Sequence, residues 1–268
     1  MFARFVLLIC LMLPMAAAQA GQTLHKLLSA DEARAWQAVG RVNMKGAGFC
    51  TGAMIAPNLV LTAAHCVFDP KTGEKLDPSR ISFLAGWRQG RAAAEGKARR
   101  TIVHPDYVHG KTAKVERVAV DMAVIELEHP IRNAAIVPFE RYKRPNIGDP
   151  VKIVSYAKGR SEMPSLEEAC EVLGKDPRVL VLSCNVNFGS SGSPIFVMHE
   201  GKAKIASVVS AKAHYQENNV ALGTSLGAPL EELLAELARS NGVFKSKKPG
   251  RLSLNEQLGR KRTTFFTN

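Results

Sequence analysis

The sequence predicts an all-β protein, a sandwich or barrel of short strands finished by one C-terminal helix. Three observations lead there. Eleven short runs rich in Val, Ile and Leu follow one another at residues 38–43, 52–56, 59–62, 81–85, 101–104, 123–127, 151–156, 179–184, 195–198, 205–210 and 220–225, with Gly, Pro, Asn and Asp between them. Many short strands at close spacing read as a sandwich or barrel. No helical apolar period lasts long enough before residue 228 to support strands alternating with long helices. From 228 to 240, in contrast, Leu230, Leu233, Leu234 and Leu237 fall at i, i+3, i+4 and i+7, with Glu231, Glu232, Glu236 and Arg239 elsewhere on the wheel. That is an amphipathic helix packed on the body and stopped by Gly242.

Composition agrees with an ordinary folded chain. Of 268 residues, 46% are hydrophobic, 22% charged and 6% aromatic, which excludes disordered, collagen-like and coiled-coil classes. The length supports one large domain or two small ones with a real core.

At the N-terminus, Arg4 supplies a positive charge, residues 5–13 are an unbroken apolar stretch, and Ala18-Gln19-Ala20 gives a small-x-small pattern. Residues 1–20 therefore read as a secretory signal with Gly21 as the mature N-terminus. The protein is expected to be exported, periplasmic or secreted, with no transmembrane segment in the mature chain, since no other apolar run is long enough. Residues 21–37 form an N-terminal segment that maturation could remove. Within it, Ser29 with Glu32 three residues later is a capping-box signal for a short helix over 30–36.

Loss of the signal removes Cys10 and leaves Cys50, Cys66, Cys170 and Cys184. An even number in an exported chain favours two disulfides. Sequence neighbours suggest Cys50–Cys66 and Cys170–Cys184, each closing a loop of roughly fifteen residues and contributing on the order of 3 kcal/mol in the chain-entropy model. Three pairings remain open on sequence alone.

The formal charge is +12. It is uneven: Lys245, Lys247, Lys248, Arg251, Arg260, Lys261 and Arg262 crowd the tail against Glu256 alone. The tail, residues 243–268, reads as a loosely attached basic segment that could meet an anionic surface. The body from 21 to 243 is only mildly basic. No nucleic-acid-binding motif is present, so no nucleic-acid partner is expected.

Three separated segments carry chemistry. They are Leu61-Thr62-Ala63-Ala64-His65-Cys66, Val120-Asp121-Met122-Ala123-Val124-Ile125, and Asn187-Phe188-Gly189-Ser190-Ser191-Gly192-Ser193-Pro194. A serine hydroxyl is a poor nucleophile until an imidazole takes its proton, and the imidazole needs a carboxylate on its other nitrogen. The glycines around Ser191 permit a tight turn in which amide N–H groups converge, as an oxyanion hole requires. Asp106, in His104-Pro105-Asp106-Tyr107, competes with Asp121, but Asp121 directly precedes an apolar strand that would hold it rigidly. The other histidines show no metal-ligand spacing, so neither metal nor other cofactor is expected.

Cys50-Thr51-Gly52, Leu61-Thr62-Ala63-Ala64-His65-Cys66, Asp121-Met122-Ala123-Val124-Ile125 and Gly189-Ser190-Ser191-Gly192-Ser193-Pro194 together resemble the chymotrypsin/trypsin-like serine endopeptidases. They lie closest to the bacterial branch that includes the glutamyl endopeptidases. The resemblance runs roughly from Val39 to Leu226. It implies two six-stranded antiparallel β-barrels, here at 38–140 and at 141–242 with the C-terminal helix, and an active site in the cleft between them. It implies His65 as general base, Asp121 as its orienting carboxylate, Ser191 as nucleophile and the Gly189 and Ser191 amides as oxyanion hole. Cys50 and Cys66 match the family's disulfide beside the catalytic histidine. Substrates would be proteins or peptides.

The departures from the family carry information. Trypsin-like zymogens mature when a new Ile or Val N-terminus pairs with an Asp just before the nucleophile; this chain has Ser190 there and no Ile-Val-Gly-Gly segment. The position at the base of the specificity pocket is Asn185, not an Asp, which speaks against a strong Arg/Lys preference. Phe188 and Asn219 would line the pocket, and Ser210-Ala211-Lys212 would pair with the substrate backbone. Glutamyl endopeptidases place a His just before that Ser, where this chain has Val209, and the position of His214 does not match, so acidic specificity is not expected. The alternative to an exported serine endopeptidase is a catalytically silent trypsin-like fold that binds anionic surfaces; three filled triad positions argue against it.

Overall fold

The computed structural model describes residues 24–110, 115–142, 145–215, 218–239 and 264–265. The signal at 1–20, the first residues of the N-terminal segment, Gly242 and the tail apart from 264–265 lie outside the described residues. In chain order the elements are β1 (Leu24–Lys26), α1 (Ala30–Arg34), β2 (Val39–Met44), β3 (Gly48–Ala56), β4 (Leu59–Thr62), β5 (Ile81–Ala85), β6 (Ala94–Val103), α2 (Val115–Val118) and β7 (Ala123–Leu127). They continue with β8 (Pro150–Ala157), β9 (Arg160–Lys175), β10 (Val179–Leu182), β11 (Pro194–His199), β12 (Lys202–Tyr215), β13 (Asn218–Ser225), α3 (Gly227–Arg239) and β14 (Thr264–Phe265).

Two closed six-stranded antiparallel barrels result. The first runs β2-β3-β4-β7-β6-β5 and closes back onto β2. Its interior is filled by Val42, Met54, Val60, Phe83 and Ile125, all inaccessible, which the register sets on one face. The second runs β8-β9-β10-β13-β12-β11 and closes through β11–β8. Val151, Ile153, Leu180, Leu182, Ile195 and Val209 fill it. β1 extends the second barrel at β9, and β14 pairs with β12 at Ala213 and His214. Strand side chains alternate faces, and where the first barrel meets the rest of the body its outward face is apolar as well, with Ala53, Leu61, Ile102 and Val124 buried.

Other elements tie the barrels together. Ser29 caps α1 as its sequence implies: Glu32 N donates to Ser29 Oγ and Ser29 N to Glu32 Oε2, both at 3.1 Å. Just beyond α1, Trp36 stacks at an angle on Phe139 and Phe196. α3 buries Leu230 and Leu233 in the same apolar cluster as Ile102, Trp36 and Tyr156, so the helix seals the junction rather than standing off it. No helix among the described residues is long and apolar enough to cross a membrane.

The structure also contains strands that the apolar runs did not mark. β9 spans sixteen residues, and its sequence carries Pro164 and four glutamates. One of these, Glu167, points inward and is 1% exposed, which breaks the expected alternation. β6 begins at Ala94, well before the run at 101–104.

Disulfides join Cys50 to Cys66 and Cys170 to Cys184. The first ties β3 to the short 3-10 helix Ala64–Val67. The second crosslinks β9 to the chain just after β10.

Candidate active site

The first barrel's register brings His65 and Asp121 together. β4 and β7 run antiparallel with Thr62 opposite Ala123. The residues that follow β4 therefore lie beside those that precede β7. Asp121 is 2% exposed. Its Oδ2 accepts from His65 Nδ1 at 2.7 Å, and its Oδ1 accepts from His65 N at 2.9 Å. Ser210 Oγ donates to the same Oδ2 at 2.5 Å.

Ser210 reaches Asp121 because β12 is irregular there. Val209 pairs with Gly223 and Ala211 with Leu222, so Ser210 is the extra residue of a bulge. A bulge breaks the in/out alternation and re-aims one side chain. The second barrel also holds the backbone beside Asp121: Thr224 Oγ1 donates to Val118 O at 2.6 Å and to Asp121 O at 3.2 Å.

Burial pushes the Asp121 carboxyl up, but the adjacent His65 and the bonds from His65 Nδ1, Ser210 Oγ and His65 N outweigh it. The net effect holds the group below the ordinary carboxylate value. A carboxylate on Nδ1 selects the tautomer whose Nε2 is free to accept a proton. Asp106 is exposed and has no part in this cluster; its N–H donates to His104 Nδ1.

Ser191 lies on the loop between β10 and β11. Gly189 and Gly192 adopt φ +89° and +77°, which a side chain disfavours. At both positions there is also no room: a Cβ on Gly192 would stand 2.1 Å from Thr62 Oγ1, and one on Gly189 would stand 2.4 Å from Phe49 Cε2. The loop is thus pressed against β3 and the approach to His65. Thr51 fastens it there, with Thr51 N donating to Ser191 O and Thr51 Oγ1 to Gly189 O, both at 2.9 Å. Among the described residues, the amides of Gly189 and Ser191 donate no hydrogen bond to the protein. None joins Ser191 Oγ to His65 Nε2 either.

The loop is held by two charged groups that sequence reading missed, the half-buried Arg160 and the buried Glu167. Arg160 Nη2 donates to Ser190 Oγ at 3.2 Å, and its Nη1 donates to Ser155 O at 2.8 Å. Glu167 accepts Asn185 N on both carboxylate oxygens, at 3.0 and 3.2 Å. Desolvation raises the Glu167 carboxyl, opposed by the Asn185 amide and by Arg160.

A cleft of about 300 Å³ opens at Ser191. Phe188, Ser210 and Asn219 line it, and Asn185 does not. Lys212 and His214 line it as well, because β12 runs along the whole wall. Phe188 is 52% exposed at its mouth.

Comparison with known proteins gives one consistent answer. The family model described as a trypsin-like peptidase domain matches residues 48–203. A glutamyl endopeptidase of Bacillus licheniformis is 26% identical over 170 residues, covering 62% of this chain and 51% of that protein. A protein named serine protease 23 from Bos taurus is 25% identical over 170 residues, covering 55% and 43%. A trypsin of Saccharopolyspora erythraea is 30% identical over 100 residues, covering 37% and 39%. The chain thus spans about half the length, or less, of the curated relatives it matches. Among solved structures, a Glu endopeptidase in complex with MPD superposes with TM-score 0.64 at 20% identity, covering 82% of this chain and 99% of that one. A thermostable serine protease from an extremophilic microorganism superposes with TM-score 0.62 at 17% identity, covering 78% and 100%.

Proposed function

Since the chain belongs to the trypsin-like peptidase domain family, we propose that it is an exported serine endopeptidase in which His65, Asp121 and Ser191 are the triad. The observation that carries this reading is the buried Asp121 carboxylate, which holds His65 Nδ1 at 2.7 Å and is itself held by Ser210. A carboxylate so desolvated and so fully bonded orients an imidazole and stabilises it once protonated.

The reaction follows from the groups present. A peptide carbonyl sits at the mouth of the Ser191 cleft, with the preceding side chain in the cleft. Ser191 Oγ attacks the carbonyl carbon as its proton passes to His65 Nε2. The developing oxyanion accepts from the Gly189 and Ser191 amides, which have no other partner to give up. His65 then gives its proton to the departing amine, leaving an acyl ester on Ser191. Water, deprotonated by the same imidazole, hydrolyses that ester. The missing Ser191–His65 bond is no obstacle, since such contacts often tighten only with substrate in place.

Export rests on the signal-like segment at 1–20 and on the two disulfides, which persist in oxidising compartments. The mechanistic test is mutational. Ser191→Ala and His65→Ala should each lower turnover by about six orders of magnitude, and the double variant should be scarcely worse, because the groups act as a unit. Near-full turnover by either single variant would refute the assignment.

A further inference from the structure

A second cleft, of about 440 Å³, opens between the β2–β3 hairpin and the chain leading into β5. Arg41, Lys45 and Arg80 line it together with Asn43 and Phe49, and among the described residues no carboxylate does. Arg41 and Arg80 are held by non-ionic contacts as well as by ion pairs. The Arg41 guanidinium lies 4.5 Å from the centre of the Phe49 ring. Arg80 Nε and Nη2 donate to Lys45 O at 3.1 and 2.9 Å. Among the described residues, carboxylates reach this group from its flanks, Glu162 at 3.2 Å from Arg41 Nη1 and Asp69 at 3.4 Å from Arg80 Nη2. Arg41 Nε and Asn43 Oδ1 have no hydrogen-bond partner among the described residues. The lining of the concavity is therefore cationic, with the two balancing carboxylates at its flanks and Lys45 left exposed at the hairpin tip.

Its position relative to Ser191 gives the charge a use. Phe49 lines the cleft, and the same ring abuts Gly189. Cys50, the next residue, is bonded to Cys66 beside His65. The Phe49 ring thus stands between the Gly189 amide and the cationic cleft. Under the endopeptidase reading, on which this inference rests, the acyl half of a substrate occupies the cleft walled by Ser210–Lys212 and Asn219. The leaving half must depart on the opposite side of Ser191, over Phe49. An extended chain advances about 3.3–3.6 Å per residue, so the residues shortly beyond the cleaved bond pass the Phe49 ring toward Arg41, whose guanidinium lies 4.5 Å from the ring centre. We propose that this cleft is a leaving-side subsite selecting peptides with Asp or Glu at the second or third residue after the cleaved bond.

The test uses internally quenched peptides with one fixed acyl half and Glu, Gln or Lys at those two positions. An aryl ester with nothing beyond the cleaved bond is the control. The expected kcat/KM is highest for Glu and lowest for Lys, with about fivefold between Glu and Gln, the scale of one partly exposed ion pair. Lys45→Glu, at the exposed hairpin tip, should reverse the order while leaving ester hydrolysis unchanged. Equal rates for the three peptides, or an unchanged order in Lys45→Glu, overturn the subsite. If the ester is not hydrolysed at all, the endopeptidase reading has failed instead. The subsite is then decided by fluorescence anisotropy of labelled Glu and Lys peptides on the Ser191→Ala protein. Tighter binding of the Glu peptide, reversed by Lys45→Glu, supports it, and equal binding overturns it.

Discussion

Arg160 donates through Nη2 to Ser190 Oγ, placing an internal cation against the residue that precedes Ser191. Trypsin-like zymogens leave this position to an Asp that awaits a newly cut N-terminus. Here the side chain is a neutral hydroxyl, and its partner, Arg160, belongs to β9. Arg160→Met is expected to lower kcat about tenfold with a smaller change in KM, the split produced by a loosened oxyanion loop. Arg160→Lys should recover part of the loss. A Tm drop with kcat unchanged per titrated active site would reduce Arg160 to a structural prop.

Asp121 sets the next expectation. Asp121→Asn keeps the shape but favours the wrong His65 tautomer, so kcat should fall by about 10⁴. Ser210→Ala removes one of three bonds to the carboxylate and should cost far less, about tenfold or under. The folded carboxyl titrates below its ordinary value of 3.8. Its contribution to stability is therefore present above that value and lost as pH falls through the lower folded one. Urea midpoints measured from pH 5 downward should show the loss, and Asp121→Asn should remove it.

A second pH effect comes from the junction sealed by α3. His104 is 1% exposed. Its Nε2 stands 3.0 Å from Glu232 Oε2, and Arg178 Nη2 lies 3.2 Å from Glu232 Oε1. Burial lowers the imidazole's pKa, and Glu232 and Asp106 only partly oppose this, with Arg178 adding to the lowering. A depressed folded pKa gives stability that is full above the ordinary value of 6.5 and declines as pH falls through the folded one. Tm should drop between about pH 7 and pH 5. Glu232→Gln, which removes the opposing charge, should steepen the drop, and His104→Gln should flatten it. A His104→Gln profile that parallels wild type would exclude His104 as the source.

Specificity at the Ser191 cleft follows from its wall. Among the described residues, Lys212, His214 and Asn219 face it and no carboxylate does, so a cation entering it would meet no counter-charge from them. A proteome-derived peptide library should yield few cleavages after Lys or Arg. Predominant cleavage after either would show that a carboxylate, such as Glu167 bonded to Asn185 N, is reached after all.

Much of the fold was legible because the barrel strands are mostly half-buried and apolar, and because the segments around His65, Asp121 and Ser191 are compact motifs. β9 was not, since its inward face carries Glu167, a polar group whose partner, Asn185 N, is eighteen residues distant. The use of Arg160 was hidden for the same reason: it acts on Ser190, thirty residues away. Lys212 and His214 follow Ser210 at short range, yet only the bulge at Ser210 and the course of β12 turn them to the cleft. The Cys50–Cys66 and Cys170–Cys184 bonds matched the neighbour pairing because each closes a local strand-to-loop corner.

The most direct measurement of the central claim is labelling of the purified, disulfide-intact protein with a fluorophosphonate probe, which reacts only with an activated serine. The account predicts stoichiometric labelling on Ser191, abolished by Ser191→Ala, by His65→Ala and by heat unfolding. A folded wild-type protein that stays unlabelled, or a label that persists in Ser191→Ala, would contradict it.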